Sequence, residues 1–133
     1  MSTPIGDSTA VAVVVAAHGS RAAAANDAHH RVVAGLGERS GGTVLAAFLE
    51  LVEPSIPDAI DAAVAGGAST VLVVPYFLHP GRHSTEDIPA IVADARERHP
   101  AADLRLLDLF GADPGLVDLL AAQVGAALDP AGS

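Results

Sequence analysis

Three stretches of the chain are apolar without interruption, at 11–17 (VAVVVAA), 44–49 (VLAAFL) and 71–77 (VLVVPYF), and a fourth, broken by Arg105 and Asp108, lies at 104–109. Unbroken apolar runs of this length, rich in β-branched residues, predict strands covered on both faces rather than strands with one wet side. Between and after them the apolar positions recur with helical period, over 22–39, 55–65, 87–99 and 114–128. The order is βαβαβαβα. Alternation of this kind predicts a parallel sheet joined by right-handed crossovers, with helices on both faces.

Local punctuation supports these boundaries. Ser55-Ile-Pro-Asp58 places a capping hydroxyl, a first-turn proline and a carboxylate where an opening helix has unpaired amides and a positive dipole end, and Gly66-Gly67 closes it. Asp113-Pro114 opens the last helix in the same manner. Pro89 has no N–H and must stand in the first turn of the third helix, so Thr85 or Asp87 is the expected cap rather than Ser84. Arg96, Arg98 and His99 fall at that helix's negative end, before Pro100 stops it. The small, polar, Pro- and Gly-bearing segments 1–9 and 129–133 are expected to be loose ends around one domain spanning 10–128.

Composition narrows the function. The 133 residues suit one self-sufficient core, and with no cysteine there is no disulfide framework, thiolate metal site or nucleophilic thiol. The seven basic residues are all Arg and face sixteen acidic ones, a net charge of -9 that repels a phosphate backbone. At 3% aromatic residues, base-stacking surfaces are disfavoured as well. Nucleic-acid binding is therefore not expected. The apolar run at 10–17 follows Asp7, has no Arg or Lys before it and is too short to cross a bilayer, so neither a signal peptide nor a membrane span is expected. The expectation is a soluble, cytoplasmic protein.

In open parallel sheets, ligands bind beyond the carboxyl ends of the strands. The first strand leads there into Ala17-His18-Gly19-Ser20-Arg21, the second ends in Phe48-Leu49-Glu50, and the third runs on through Pro75 to Arg82-His83. Two imidazoles and one carboxylate from three strand ends suit a divalent ion such as Fe²⁺, Co²⁺ or Ni²⁺ better than Mg²⁺, and three ligands leave coordination positions open.

The HGSR after the first strand, the AFLE followed by EPS, and the FLxxGxH followed by DIP together resemble the short class II tetrapyrrole chelatases, the sirohydrochlorin cobalto- and ferrochelatase group, over about residues 11–128. That resemblance implies a single three-layer α/β domain with a four-stranded parallel sheet of flavodoxin-like winding. It implies insertion of Co²⁺, Fe²⁺ or Ni²⁺ into sirohydrochlorin or a related tetrapyrrole, in cobalamin or sirohaem biosynthesis, with no cofactor beyond the metal substrate. His18 and His83 match the family's metal-binding and catalytic histidines, and Glu50 its acidic metal ligand. The chain departs from many relatives at Ser84 and at His79-Pro80, in the lining of the loop. Larger relatives carry two similar lobes, so a one-lobe chain is expected to form a homodimer around the cleft.

The chemistry calls for these residue types independently. Two pyrrole N–H protons leave as the metal arrives, and a neutral imidazole can accept a proton or hold the ion. Either histidine can take either role. The substrate bears many carboxylates and the protein is acidic, so Arg21 and Arg82, which flank the two histidines, are candidates with Ser20 and Ser84 for binding its acidic arms.

Plainer readings exist for each residue. His18 could be a turn residue with Ser20 capping the helix, Glu50 a solvated strand end, and Arg21 and Arg82 surface charges. His29 and His30 point about 100° apart on one helix and read as packing or surface residues. The competing functions are a non-catalytic metal or tetrapyrrole carrier and a histidine phosphatase, although Ala17 stands where a phosphatase usually has an Arg before its nucleophilic His.

Overall fold

The structure, a computed structural model, describes residues 10–130. The segment 1–9, and 131–133 of the expected C-terminal tail, lie outside the described residues. Four strands, β1 (Val11–Ala17), β2 (Thr43–Phe48), β3 (Thr70–Pro75) and β4 (Asp103–Leu106), form one parallel sheet in the order β2-β1-β3-β4. The helices are α1 (Ala23–Ser40), α2 (Ile56–Ala65), α3 (Ile88–Arg98) and α4 (Gly115–Leu128). This is the flavodoxin-like winding. The chain moves out from β1 to β2, then returns across β1 to β3, so the sheet reverses direction at β1/β3.

The pleat of β1 sorts the core into two layers. Ala12, Val14 and Ala16 face one side, where Ile56, Ala59 and Ile60 of α2 and Ile88, Val92 and Ala95 of α3 cover them. Val13 and Val15 face the other and pack with Val33 of α1. Val14 sits opposite Leu45 on β2 and Val73 on β3, so the centre of the sheet is aliphatic on both sides. An unbroken apolar run is the sequence trace of this double coverage.

Helix entries differ in how they follow their sequence signals. Ser55 caps α2 as expected, its hydroxyl accepting from the Asp58 amide at 3.2 Å. Asp87 does stand at the N-cap position of α3, but its side chain makes no cap, because the chain enters through a π-helical turn, His83–Asp87, that runs directly into α3. There Thr85 donates its hydroxyl to the Gly81 carbonyl at 2.8 Å. Arg98 and His99 reach Asp61 on α2 at 2.9 and 2.7 Å, pinning α2 to α3 instead of serving only the helix end. These partners hold the Asp61 carboxyl below the usual carboxylate range, the His99 hydrogen bond contributing most and Arg98 next.

His29, left between packing and surface from sequence, is buried under β1, where its Nε2–H donates to the Val15 carbonyl at 2.9 Å and its ring meets Phe48 and Tyr76. Burial lowers its pKa. His30, its neighbour, lies exposed with its ring 5.4 Å from Phe48. β4 is shorter than the apolar run suggested and pairs with β3 only over 103–106. α4 departs furthest from expectation, since none of its residues is buried.

Candidate metal centre at the carboxyl edge

The β1–β2 ladder does not stop at the strand ends. The Leu49 amide donates to Ala17 at 2.8 Å and the Glu50 amide to His18 at 3.1 Å, so the residues that follow the two strands are locked side by side. Gly19 makes this approach possible. Its φ of 95° lies in the left-handed region, and a Cβ there would overlap the Glu50 carbonyl oxygen. The next residues are fixed by a reciprocal pair: the Ser20 amide donates to Asn26 Oδ1 at 3.0 Å, and Asn26 Nδ2 donates back to the Ser20 carbonyl at 2.8 Å. On the other side the Tyr76 amide donates to Ala16 at 2.8 Å, extending the β1–β3 ladder and sending the β3 loop over the same edge.

His18, Glu50 and His83 meet there. One ligand-capable atom from each lies within 4.8 Å of the others. His18 Nε2 stands 3.2 Å from a Glu50 carboxylate oxygen, and the rings of His18 and His83 meet edge to face with centroids 4.8 Å apart. Each imidazole is oriented from behind. A carbonyl only accepts, so His18 Nδ1 donates to Gly19 at 3.1 Å; a carboxylate likewise accepts, so His83 Nδ1 donates to Asp87 Oδ2 at 2.7 Å. A neutral ring that donates at Nδ1 carries its lone pair on Nε2, the atom left to take a metal. On His18, Nε2 is the atom beside the Glu50 oxygen, so an ion between them would be held by both groups.

Histidines that bind metal characteristically donate their other ring N–H to a carbonyl or carboxylate, which fixes the tautomer and raises ligand basicity. Asp87 fills that role for His83, whereas sequence reading named it only as a helix cap and as part of the DIP motif. The signal was its i+4 spacing from His83 once a helical turn begins there. The trio is also open to solvent: side-chain exposures are 43% for His18, 50% for Glu50 and 46% for His83. Ligands of a tetrahedral ion with bonds near ~2.1 Å stand roughly 3.4 Å apart, so small side-chain rotations close the set on an ion and leave a coordination position facing outward.

The other candidates lie around this edge but are not drawn into it. Ser20 Oγ accepts from the Ala22 amide at 3.0 Å. Ser84 Oγ is engaged by both the amide and the carbonyl of Gly81. Arg82 pairs with Glu86 at 3.4 Å with both side chains largely exposed, and Arg21 is exposed with no ion pair among the described residues. Leu51 and Leu78, on the loops after β2 and β3, are 59% and 60% exposed and give this edge an apolar rim that sequence reading did not identify.

Comparison with known proteins decides the family. The CbiX family model matches residues 12–127. The chain belongs to the CbiX family. It is 36% identical to the chloroplastic sirohydrochlorin ferrochelatase of Arabidopsis thaliana over 117 residues, 87% of this chain and 51% of that protein. It is 33% identical to the sirohydrochlorin cobaltochelatase of Methanocaldococcus jannaschii over 66% of this chain and 62% of that one. Among solved structures, the sirohydrochlorin chelatase SirB of Bacillus subtilis subspecies spizizenii in complex with cobalt superposes with a TM-score of 0.77 at 28% identity, covering 86% of this chain and 50% of SirB. The CbiX protein of Marinobacter aquaeolei superposes with a TM-score of 0.78 at 28% identity, covering 89% and 97%. The chain thus spans about half the length of the plant ferrochelatase and of SirB. It shares the CbiX fold, a four-stranded parallel sheet with helices on both faces. Among the described residues, no helix is long and apolar enough to cross a membrane.

Proposed function

We propose that this CbiX protein inserts a divalent metal, Co²⁺, Fe²⁺ or Ni²⁺, into sirohydrochlorin or a closely related tetrapyrrole, as a step of cobalamin or sirohaem biosynthesis. The observation that carries the reading is the convergence of His18, Glu50 and His83 at one open edge, with both imidazoles oriented from behind. Metal is substrate here, and no nucleotide or further cofactor is invoked. The trio receives the ion, and its outward position lets the ion pass to pyrrole nitrogens as the ring settles on the edge. The two pyrrole protons pass to the basic groups that release the metal, either imidazole or the Glu50 carboxylate. Leu51 and Leu78 offer apolar contact to the macrocycle. Arg21 and Arg82, with the Ser20 hydroxyl, bind its carboxylate arms, and Ser84 joins them by giving up its hydrogen bond to the Gly81 carbonyl. Arg82 does so by exchanging its weak exposed pair with Glu86 for a substrate carboxylate.

One chain supplies a single wall of a cleft, so the working form is a homodimer with two carboxyl edges facing one cavity. Residues 10–128 act as one unit, and the reaction belongs in the cytoplasm, where reducing conditions keep iron ferrous. The phosphatase alternative is disfavoured by Glu50, whose carboxylate 3.2 Å from His18 would repel a phosphoryl group.

The test is anaerobic incubation with sirohydrochlorin and each metal, followed by absorption spectroscopy. Many turnovers per chain, lost in His18→Ala and Glu50→Gln, are expected. A spectral change limited to one equivalent would make the protein a carrier, and full insertion by His18→Ala would overturn the assignment.

A further inference from the structure

α4 is apolar and uncovered. Leu116, Leu120, Val124 and Leu128 form a stripe at four-residue spacing, with Val117 and Leu119 beside it, and Val117, Leu119, Leu120, Val124 and Leu128 are 55–78% exposed. Its one charged residue is Asp118. A helix this apolar is ordinarily buried, and one of fourteen residues is marginal in water without packing.

The same chain carries an apolar surface on which no helix lies among the described residues. Among the described residues, α2 and α3 cover one face of the sheet, whereas on the other face α1 alone supplies the helical packing and lies against β2. Leu72 and Val74 of β3 and Tyr76 just beyond it remain only partly buried there, and Leu107 beyond β4 is 40% exposed. A three-layer sheet with two helices on one side has room for a second on the other, and α4 is the helix left over.

The connector explains why α4 does not fold back onto this strip. After β4 the chain makes a 3₁₀ turn, Phe110–Ala112, in which the Gly111 amide donates to the Phe77 carbonyl at 2.9 Å and the Phe110 ring meets Tyr76 with centroids 4.9 Å apart. A Cβ on Gly111 would overlap the backbone of Leu78, so the turn is fastened flat against the loop that leads to His83. α4 therefore starts at the carboxyl edge, and it leaves the sheet from there.

We infer that two copies exchange α4, each laying the helix on the open β3–β4 strip of the other around a two-fold axis. The inference rests on the self-association proposed above and specifies its contact. Because α4 starts at the edge that holds His18, Glu50 and His83, exchange also brings the two edges together. At roughly 60–120 Å² per buried aliphatic side chain, the five half-exposed residues supply on the order of 300 Å². Helix and strip on both chains then give about 1,200 Å², the lower end of a stable interface. A lipid surface is the poorer occupant, since α4 has no Lys or Arg to meet anionic headgroups.

The absence of native cysteine permits a clean test. Chains carrying Leu120→Cys and Val74→Cys, or Val124→Cys and Leu72→Cys, are co-expressed as pairs of single variants with different tags and treated with a short bismaleimide. Light scattering of the untreated wild type should give twice 13.3 kDa, and the mixed pairs should yield covalent heterodimers. Each pair is also combined in one chain. An internal link there, without heterodimers from the mixed pairs, would show self-packing and overturn the exchange. Twice the mass with no link in either format would overturn the exchange while leaving self-association intact, and a single-chain mass would overturn both.

Discussion

Gly19→Ala tests whether the metal site depends on the close approach of the loops after β1 and β2. At φ 95° an alanine is strained by about 1–2 kcal/mol. Its Cβ would also overlap the Glu50 carbonyl oxygen and come within 3.1 Å of the carbonyl carbon. Optimal carbon contacts are near ~3.5 Å, so the Glu50 backbone must retreat by on the order of 1 Å. The total cost, strain plus overpacking, is about 2–5 kcal/mol, against a total stability of about 5–15 kcal/mol for a domain. The displacement is the larger functional effect, since binding constellations tolerate only about 0.5 Å. Co²⁺ affinity should fall roughly 10- to 100-fold, as when a ligand loses its support. The measurement is Co²⁺ titration by calorimetry or visible absorption, alongside urea unfolding. Gly35→Ala is the control: Gly35 lies inside α1 with nothing near its absent Cβ, so the change should stabilise by about 0.4–1 kcal/mol and leave Co²⁺ binding unaltered. A folded Gly19→Ala protein that binds Co²⁺ as tightly as wild type would show that contact between the two loops does not set the site.

Asp87→Asn should lower Co²⁺ affinity about 10- to 100-fold by weakening His83 as a ligand, with little change in the urea midpoint because the pair is half exposed; unchanged affinity would dismiss Asp87 as a positioning residue. Arg82→Ala should raise the apparent KM for the tetrapyrrole about fivefold, the equivalent of ~1 kcal/mol at an exposed site, with kcat nearly constant, and an unchanged KM would remove Arg82 from the substrate site. Burial lowers the folded-state pKa of His29, so its contribution to stability is complete above the unfolded value near ~6.5 and is lost as pH falls from there through the folded pKa. Urea unfolding at pH 7.5 and 5.5 should therefore show a steeper acid loss in wild type than in His29→Phe, by up to about 1.4 kcal/mol per pH unit, and equal slopes would refute the assignment.

Much of the architecture was legible because its causes are local. The run at 11–17 implied a strand buried on both sides, and β1 lies between β2 and β3 under helices on both faces. Ser55, Pro57 and Asp58 marked the start of α2 because capping acts within one turn. The entry to α3 was misjudged since its caps compete with a π-helical turn held by Gly81, a choice made by the loop's path over the sheet edge. The trio was nameable from sequence because parallel topology delivers every strand's carboxyl end to one edge, whatever the details of packing.

The sequence by itself therefore determined the element order, the double-sided burial of the central strands and which three polar groups the strand ends deliver to one edge. Only the tertiary structure decided their mutual distances, through ladder hydrogen bonds that continue past the strand ends and through the space a missing Cβ leaves at Gly19. It also decided that Asp87 stands behind His83, that His29 is buried, and that no residue of α4 is buried. Periodicity records which face of an element is apolar, but what covers that face depends on the path of the whole chain.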